Sequence, residues 1–138
     1  ERPGDGVFGL NNPTLASSNA PDHSSRLAND GNPATWWAPA PGDTEMSLTL
    51  DMERVVEIHA LTLTFPQAGP YGFLAEIQDA QGNWRKLAEQ VEGQDTSAVR
   101  TVETEAREGR KVRIHLRAPA GYPAGLAELR VGGALHTD

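Results

Sequence analysis

The chain has 138 residues, enough for one domain with a substantial core. Its formal net charge is −7 and it has no basic stripe, which argues against a nucleic-acid partner because binding phosphates needs clustered Lys and Arg. Cysteine is absent, which excludes disulfides and thiolate metal sites, and no apolar run approaches the roughly 20 residues that cross a bilayer.

The first 45 residues are rich in polar and turn-forming residues, yet they contain two adjacent tryptophans, Trp36 and Trp37. A long loop region that carries aromatics often carries function. His23 and Arg26 lie in the same region and could donate hydrogen bonds to a ligand, although such residues are also commonly just solvated. We expect Trp36 to be exposed and Trp37 to be buried.

The middle of the chain predicts β-strands. Apolar and polar residues alternate strictly over residues 46–51, which is the period of a half-buried strand. Over residues 55–65 the alternation changes phase: Val56 and Ile58 share one parity, and Leu61, Leu63 and Phe65 the other. One strand can bury both sets only if it contains an extra residue, so we predict a β-bulge near residues 59–60.

The second half continues in the same way. Shorter strands are predicted over residues 73–78, 84–88, 98–104 and 126–131, and strict alternation returns over 111–117. Turn residues at 81–83 and 108–110 suit antiparallel connections. The sequence therefore predicts an all-β, antiparallel β-sandwich. Its predicted core comprises Leu48, Leu50, Ile58, Leu61, Leu63, Trp84, Ile114 and Leu116.

Residues 27–37 gather hard oxygen donors in a tight turn, including the Asp30 carboxylate and the Thr35 hydroxyl. Calcium prefers six to eight such oxygens, but one carboxylate supplies too little charge. A second must come from elsewhere in the chain, and Glu128 is the candidate. An ordinary Asp-Gly turn, with Thr35 bonded to its own backbone, explains the same residues, and the pattern is not that of an EF-hand.

The order of several motifs resembles the discoidin domains (coagulation factor V and VIII type C domains) and related carbohydrate-binding modules of the galactose-binding-like class. These motifs are residues 16–18, Asp30-Gly31-Asn32 followed by Thr35 and Trp37, residues 48–51, 82–84 and 111–114, and residues 126–129 with Gly132. The resemblance covers about residues 14–133. It implies a jelly-roll sandwich, with Trp37 and Trp84 in its core.

The resemblance also implies a structural calcium ion that ties the first long loop to the last strand. Its ligands would be the side chains of Asp30, Thr35 and Glu128 and the carbonyls of Leu27, Asn32, Thr35 and Ala127. The His, Arg and aromatic set with which many relatives hold galactose has no position-for-position equivalent in this chain. The fold and the metal are therefore implied more strongly than any particular sugar.

The candidate glycan-binding residues are aromatics in turn-rich segments, with polar residues beside them. We expect Trp36, Tyr71 and Tyr122 to stack on sugar rings and His23 and Arg26 to bond hydroxyls, although each tyrosine could instead anchor its own loop.

Catalysis is disfavoured because no common catalytic motif is present. The nearest candidate for a glycosidase carboxylate pair, Glu103 and Glu105, lies on what reads as a solvated strand edge.

These observations lead to one functional hypothesis and one alternative. We expect residues 1–138 to be a single module cut from a larger protein, because the chain begins at Glu1 with no Met and no signal peptide. The functional hypothesis implies that this protein is secreted, extracellular or periplasmic. The hypothesis is a non-catalytic carbohydrate-binding module appended to a glycoside hydrolase. The alternative is a structural or protein-interaction sandwich that packs against its parent enzyme and binds no sugar.

Overall fold

The computed structural model describes residues 5–135, so the first four and last three residues of the predicted module lie outside the described part. The described part contains seven strands and one short 3₁₀ turn, Ser25–Ala28. The strands are β1 (Asp5–Phe8), β2 (Thr14–Ala16), β3 (Ser47–Thr64), β4 (Gly72–Gln78), β5 (Trp84–Gln90), β6 (Val99–Arg117) and β7 (Glu128–Leu135). Within residues 5–135, no helix has the length and apolar character needed to cross a membrane.

All the strand pairs are antiparallel, and the strand order is β1-β7-β3-β6-β4-β5, with β2 paired to β3. The two longest strands, β3 and β6, pair along almost their whole length. The turn predicted at residues 108–110 is wrong, because these residues lie within β6, where Glu108 and Gly109 pair with β3. The first part of β3 lies between β2 and β6, whereas its second part lies between β7 and β6. β3 and β6 therefore serve both layers of an antiparallel β-sandwich, the predicted fold class.

The β-bulge predicted at residues 59–60 is confirmed. The pairing of β3 with both β6 and β7 shifts register between Ile58 and Ala60. This extra residue lets Val56 and Ile58 point into the core on one side of the bulge and Leu61 and Leu63 on the other. A second register shift lies between Asp51 and Val56, where Glu53 adopts a left-handed φ of 63°.

One hydrophobic core joins both layers. The predicted core residues on β3 and β6 are all buried, as is Trp37. Phe65, Tyr71, Phe73, Ile77, Val112, Leu126, Leu129 and Val131 complete most of it. Inward-facing residues of every long strand contribute, which is the reason for their alternating sequences.

The prediction that Trp84 is buried in the core is wrong, because Trp84 is only partly buried. Trp84 pairs with Gln78, and two residues along the same ladder Lys86 pairs with Glu76. These side chains point to the outer face of the sheet. There the Arg113 guanidinium covers the indole, with its central carbon 3.9 Å from the ring centre.

Adjacent glycines on β7 give a test of this packing. A Cβ on Gly133 would lie 2.1 Å from the Glu57 carbonyl oxygen, whereas one on Gly132 would meet nothing nearer than 3.5 Å. We expect Gly133→Ala to lower the free energy of unfolding by about 2–3 kcal/mol. Gly132→Ala, the matched control, should change it by less than about 0.5 kcal/mol. Urea denaturation checks both, and equal effects would contradict the register of β7 on β3.

Candidate functional site

The long connections between strands meet at one end of the sandwich, here called the loop end: residues 17–46, 65–71, 91–98 and 118–127. Trp37 and Leu126 form a two-bond backbone bridge, with N···O distances of 3.1 and 2.9 Å. The Tyr71 hydroxyl donates to the Pro123 carbonyl at 2.7 Å, and Gly69 N–H donates to the Thr96 carbonyl at 3.0 Å. These contacts join all four connections in series.

A buried arginine that the sequence analysis missed fastens two of these loops. Arg100 is 2% exposed, and its guanidinium donates to the carbonyls of Tyr71 and Gly69 at 2.7 Å and of Ser97 at 2.8 Å. The guanidinium also lies 4.5 Å from the ring centre of Phe65. Burial lowers the pKa of Arg100, partly offset by Asp95. Because a guanidinium is planar, always charged and carries five N–H donors, it can donate hydrogen bonds to several loop carbonyls at once.

The prediction that Tyr71 stacks on a sugar is wrong. Its side chain has no exposed surface, stacks on Phe65 with ring centres 4.6 Å apart, and bonds to the Pro123 carbonyl. It is a loop anchor, the alternative that its sequence position had left open. Tyr122 packs edge-on against Tyr71 at 5.9 Å but keeps 37% of its surface exposed.

Three predicted residues do come together. His23 and Trp36 stack with ring centres 4.9 Å apart, so Trp36 is partly buried rather than fully exposed as predicted. They line an open depression of about 260 Å³ together with Asp22, Leu27, Ala34 and Thr35. Arg26 lines an adjoining depression of about 490 Å³, which also includes Asp22. An aromatic surface flanked by polar groups is the composition of many small-molecule sites.

The hydrogen bond of His23 fixes its tautomer. His23 Nδ1 lies 2.9 Å from the Trp36 carbonyl oxygen, which can only accept. Nδ1 therefore carries the hydrogen, and in neutral His23 the other ring nitrogen, Nε2, is a hydrogen-bond acceptor.

Hydrogen bonds hold the loop that carries these residues. Ala20 N–H donates to the Ala38 carbonyl at 2.8 Å, and Ala38 N–H donates to the His23 carbonyl at 3.2 Å. Asp43 accepts from the hydroxyls of Ser17 and Ser18 at 2.6 and 2.5 Å. These two hydroxyls hold the pKa of Asp43 well below its usual value. The loop is thus ordered by its own contacts before any ligand binds.

The Asp30 turn is organised as its sequence suggests. Asp30 accepts from the Thr35 hydroxyl at 2.7 Å and from Asn32 N–H at 3.0 Å, and the Thr35 oxygen lies 3.0 Å from the Asn32 carbonyl. Burial would raise the pKa of Asp30, but these hydrogen bonds outweigh it and the pKa lies below its ordinary value.

Glu128 reaches the same place from the start of β7. The residue is 7% exposed, and neither carboxylate oxygen accepts a hydrogen bond of acceptable geometry from the described residues. The Arg130 guanidinium lies 2.6 Å from Oε2 and forms an ion pair with it. Burial raises the pKa of Glu128, Arg130 opposes that shift, and the neighbouring Asp30 adds to it. A buried carboxylate that one arginine only partly neutralises, beside a second carboxylate, is suited to a cation.

The other predicted ligands belong to the segments that meet here. Leu27 lies in the 3₁₀ turn, and Ala127 directly precedes Glu128, with its N–H bonded to the Thr64 carbonyl at 2.7 Å. The described residues contain no group of three or more His, Cys, Asp or Glu side chains able to hold a metal. A cation at this place would therefore depend on carbonyls and on the two carboxylates.

The fold and the loop end define a discoidin-like β-sandwich, and comparison with known families agrees. Residues 27–114 match the family described as NedA-like, galactose-binding domain, of the F5/F8 type C class. This chain belongs to that family. Among curated protein sequences, none matches the chain.

Solved structures of carbohydrate-binding modules share the fold. Chitosan-binding module 2 of a Paenibacillus sp. IK-5 chitosanase/glucanase, in complex with chitotriose, is 25% identical, with a TM-score of 0.78 over 89% of this chain and 97% of that one. A Clostridium perfringens module, CpGH89CBM32-4, in complex with GlcNAc-α-1,4-galactose, is 18% identical (TM-score 0.80, 96% of each chain). The family 32 module of C. perfringens NanJ, in complex with galactose, is 20% identical (TM-score 0.75, 87% and 92%).

The role of Arg100 can be tested by shortening its donor set. Arg100→Lys should leave buried carbonyls of Gly69, Tyr71 or Ser97 unpaired and lower the free energy of unfolding by about 3 kcal/mol. Arg117→Lys is the control, because Arg117 forms a surface pair with Glu89 and should matter by less than about 0.5 kcal/mol. Urea denaturation measures the free energy of unfolding of both variants. An Arg100→Lys variant as stable as the wild type would show that the hydrogen bonds of Arg100 to the loop carbonyls do not stabilise the fold.

Proposed function

We propose that this chain is a non-catalytic carbohydrate-binding module, appended to a secreted glycoside hydrolase, that binds a glycan at the His23–Trp36 depression. The observation that carries the proposal is the stacked pair of His23 and Trp36 lining an open depression on a hydrogen-bonded loop end. Family membership supports it, as do similar modules whose structures contain chitotriose, galactose or GlcNAc-α-1,4-galactose. By attaching to a polysaccharide, such a module raises the local concentration of its parent enzyme.

The geometry suits a single sugar ring better than a long chain. The indole of Trp36 provides apolar contact for a ring face, and His23 and Asp22 provide acceptors for hydroxyls at its margin. Arg26 can donate from the adjoining depression, and the partly exposed Tyr122 is a further candidate contact at the loop end. A shallow site that binds one ring should have a dissociation constant of roughly 0.1–1 mM.

Removing the indole tests the site. Trp36→Ala should weaken binding of the best ligand in a glycan array about tenfold or more, because a stacking aromatic contributes on the order of 1–2 kcal/mol. Trp36→Phe should retain part of the affinity. Trp84→Ala is the matched control, since Trp84 lies on the outer face of the sheet under Arg113, and it should bind normally. Titration calorimetry measures all three.

Two results would count against this site. Unchanged binding by folded Trp36→Ala would place the glycan elsewhere. Failure of the wild type to bind any plant, fungal or host glycan would favour the alternative function, a sandwich that packs against its parent enzyme. Val7, Leu10 and Leu15, which are 71, 52 and 74% exposed, are the apolar side chains that such packing would cover.

We further propose a structural calcium ion between the Asp30 turn and Glu128. The burial of the Glu128 carboxylate, which raises its pKa, and the nearby Asp30 carboxylate support it. Asp30, Thr35 and Glu128 would supply side-chain oxygens, and Leu27, Asn32, Thr35 and Ala127 would supply carbonyls. Bound there, the ion would add positive charge and cross-link distant segments of the chain. The ion pair between Arg130 and Glu128 would have to weaken or break to admit it.

Calcium that binds only the folded chain must stabilise it. At about 100 times its dissociation constant, the gain is about 2.7 kcal/mol, so exhaustive chelation should lower Tm. Glu128→Gln and Asp30→Asn should each remove this dependence on calcium, whereas Glu103→Gln, an exposed control on β6, should retain it. Thermal unfolding with and without calcium measures the effect. An unchanged Tm after chelation, with no metal found by elemental analysis, would refute the ion.

A further inference from the structure

We propose that the His23–Trp36 site selects glycans that carry a free amine, hence a positive charge, and that Asp22 is the residue that sets this preference. The inference rests on the proposed glycan binding and adds a ligand class to it. It is carried by one uncommitted carboxylate and by the hydrogen-bonding character of the groups around it.

Asp22 is the aspartate, among those whose side chains the structure describes, whose carboxylate has no hydrogen-bond partner. Of the aspartates whose side chains the structure describes, the others all accept hydrogen bonds from their surroundings: Asp30, Asp43, Asp51, Asp79 and Asp95. Within residues 5–135 no side chain or backbone group bonds to the Asp22 carboxylate, which lines both depressions. Carboxylates that stabilise a fold do so by accepting hydrogen bonds or forming ion pairs. An unpaired carboxylate that lines an aromatic depression is instead available to a ligand.

The backbone nevertheless fixes where Asp22 lies. Its φ of 64° is left-handed, and the next residue, His23, donates its N–H to the Ala20 carbonyl at 3.0 Å. Ala20 is in turn bonded to Ala38, which directly follows the two tryptophans. The carboxylate therefore projects from a tight turn that is held against the segment carrying Trp36. Because the backbone of Asp22 is already fixed, only its side-chain torsions need to be ordered when the carboxylate meets a cation.

The polar groups of the smaller depression are mainly acceptors. The Asp22 carboxylate can only accept, neutral His23 presents Nε2 as an acceptor, and the Thr35 hydroxyl already donates to Asp30. An ammonium group is the complementary ligand, because it brings three N–H donors, no acceptor and a positive charge. The indole face adds a favourable cation–π interaction.

The net charge of the chain also favours cationic ligands, and it acts over a longer range than Asp22 alone. The chain carries a formal net charge of −7, which attracts cationic polymers and repels polyuronates. Arg26, a nearby cation, lines the adjoining depression and not the one that contains Trp36. Asp22, unlike Arg26, therefore places its charge in the lining of the depression that contains Trp36.

Three trisaccharides of matched length test the preference by titration calorimetry, at a pH that protonates the amines of the first. The first is chitotriose, whose amines are free. The other two, N-acetylated chitotriose and cellotriose, are neutral. We expect the wild type to bind chitotriose about five- to tenfold more tightly than either neutral ligand, which is between the effect of a fully exposed ion pair and that of a well-buried charge-assisted hydrogen bond. Raising the ionic strength to about 0.5 M should reduce this difference.

The decisive variant is Asp22→Asn. Asparagine has the same shape and tolerates a left-handed backbone, so the turn should persist while the charge is lost. We expect the variant to lose the preference for chitotriose and to bind the neutral ligands as the wild type does. Glu103→Gln makes the same change in net charge at an exposed position on β6 and should keep the preference.

Each outcome has a distinct meaning. Equal binding of chitotriose and the neutral ligands, or a preference that survives Asp22→Asn, would overturn the inference and leave glycan binding intact. If Glu103→Gln lost the preference to the same extent, net charge rather than Asp22 would be responsible, which also overturns it. If neither these ligands nor a glycan array gave binding, the proposed function itself would fail, and the inference with it.

Discussion

The structure depends on the long antiparallel ladder between β3 and β6. β2 and β7 pair with β3, β4 pairs with β6, and the outermost strands β1 and β5 reach the ladder only through β7 and β4. Register shifts after Asp51 and Ile58 let β3 serve both layers while its apolar residues stay inward. Because this ladder sets where every strand ends, it also determines which loops meet at the loop end. The position of the candidate site is thus a consequence of strand pairing.

The loop end is ordered mainly by polar contacts. Arg100 gathers the carbonyls of residues 69, 71 and 97, Asp43 gathers two serine hydroxyls, and the indole N–H of Trp37 donates to the Ser18 carbonyl at 2.9 Å. Loops expose many backbone groups that no ladder can satisfy, so each buried carbonyl needs a donor brought from elsewhere. Satisfying them holds the loops in one arrangement, and a weak, shallow site requires that rigidity because little binding energy is available to order it.

Alternation was sufficient to predict most of β3 to β7, the core residues of β3 and β6 and the bulge near residue 59, because one buried face imposes a period of two on the sequence. It missed the short strands β1 and β2, and the turn residues at 108–110 divided β6, which is one continuous strand. It could not decide where aromatics in turns point. Tyr71 is buried because Phe65 and Pro123 lie beside it, and Trp84 faces outward because of its register with β4. The buried Arg100 gave no local signal, since its partners lie up to 31 residues away. Whether these side chains are buried or exposed depends on contacts between residues distant in the sequence, and composition does not reveal those contacts.

Residues 30–37 link the two candidate sites. Thr35 bonds to Asp30, which neighbours Glu128, and it also lines the depression that contains Trp36. The bridge between Trp37 and Leu126 ties the end of this segment to the chain just before Glu128. Whatever holds Asp30 and Glu128 together therefore also holds Thr35 and Trp36 in place. Charge explains why a cation suits this role: two nearby carboxylates, one of them buried, repel each other until positive charge lies between them. Arg130 supplies part of that charge within the chain, so the segment is ordered without a metal and would gain further rigidity from one.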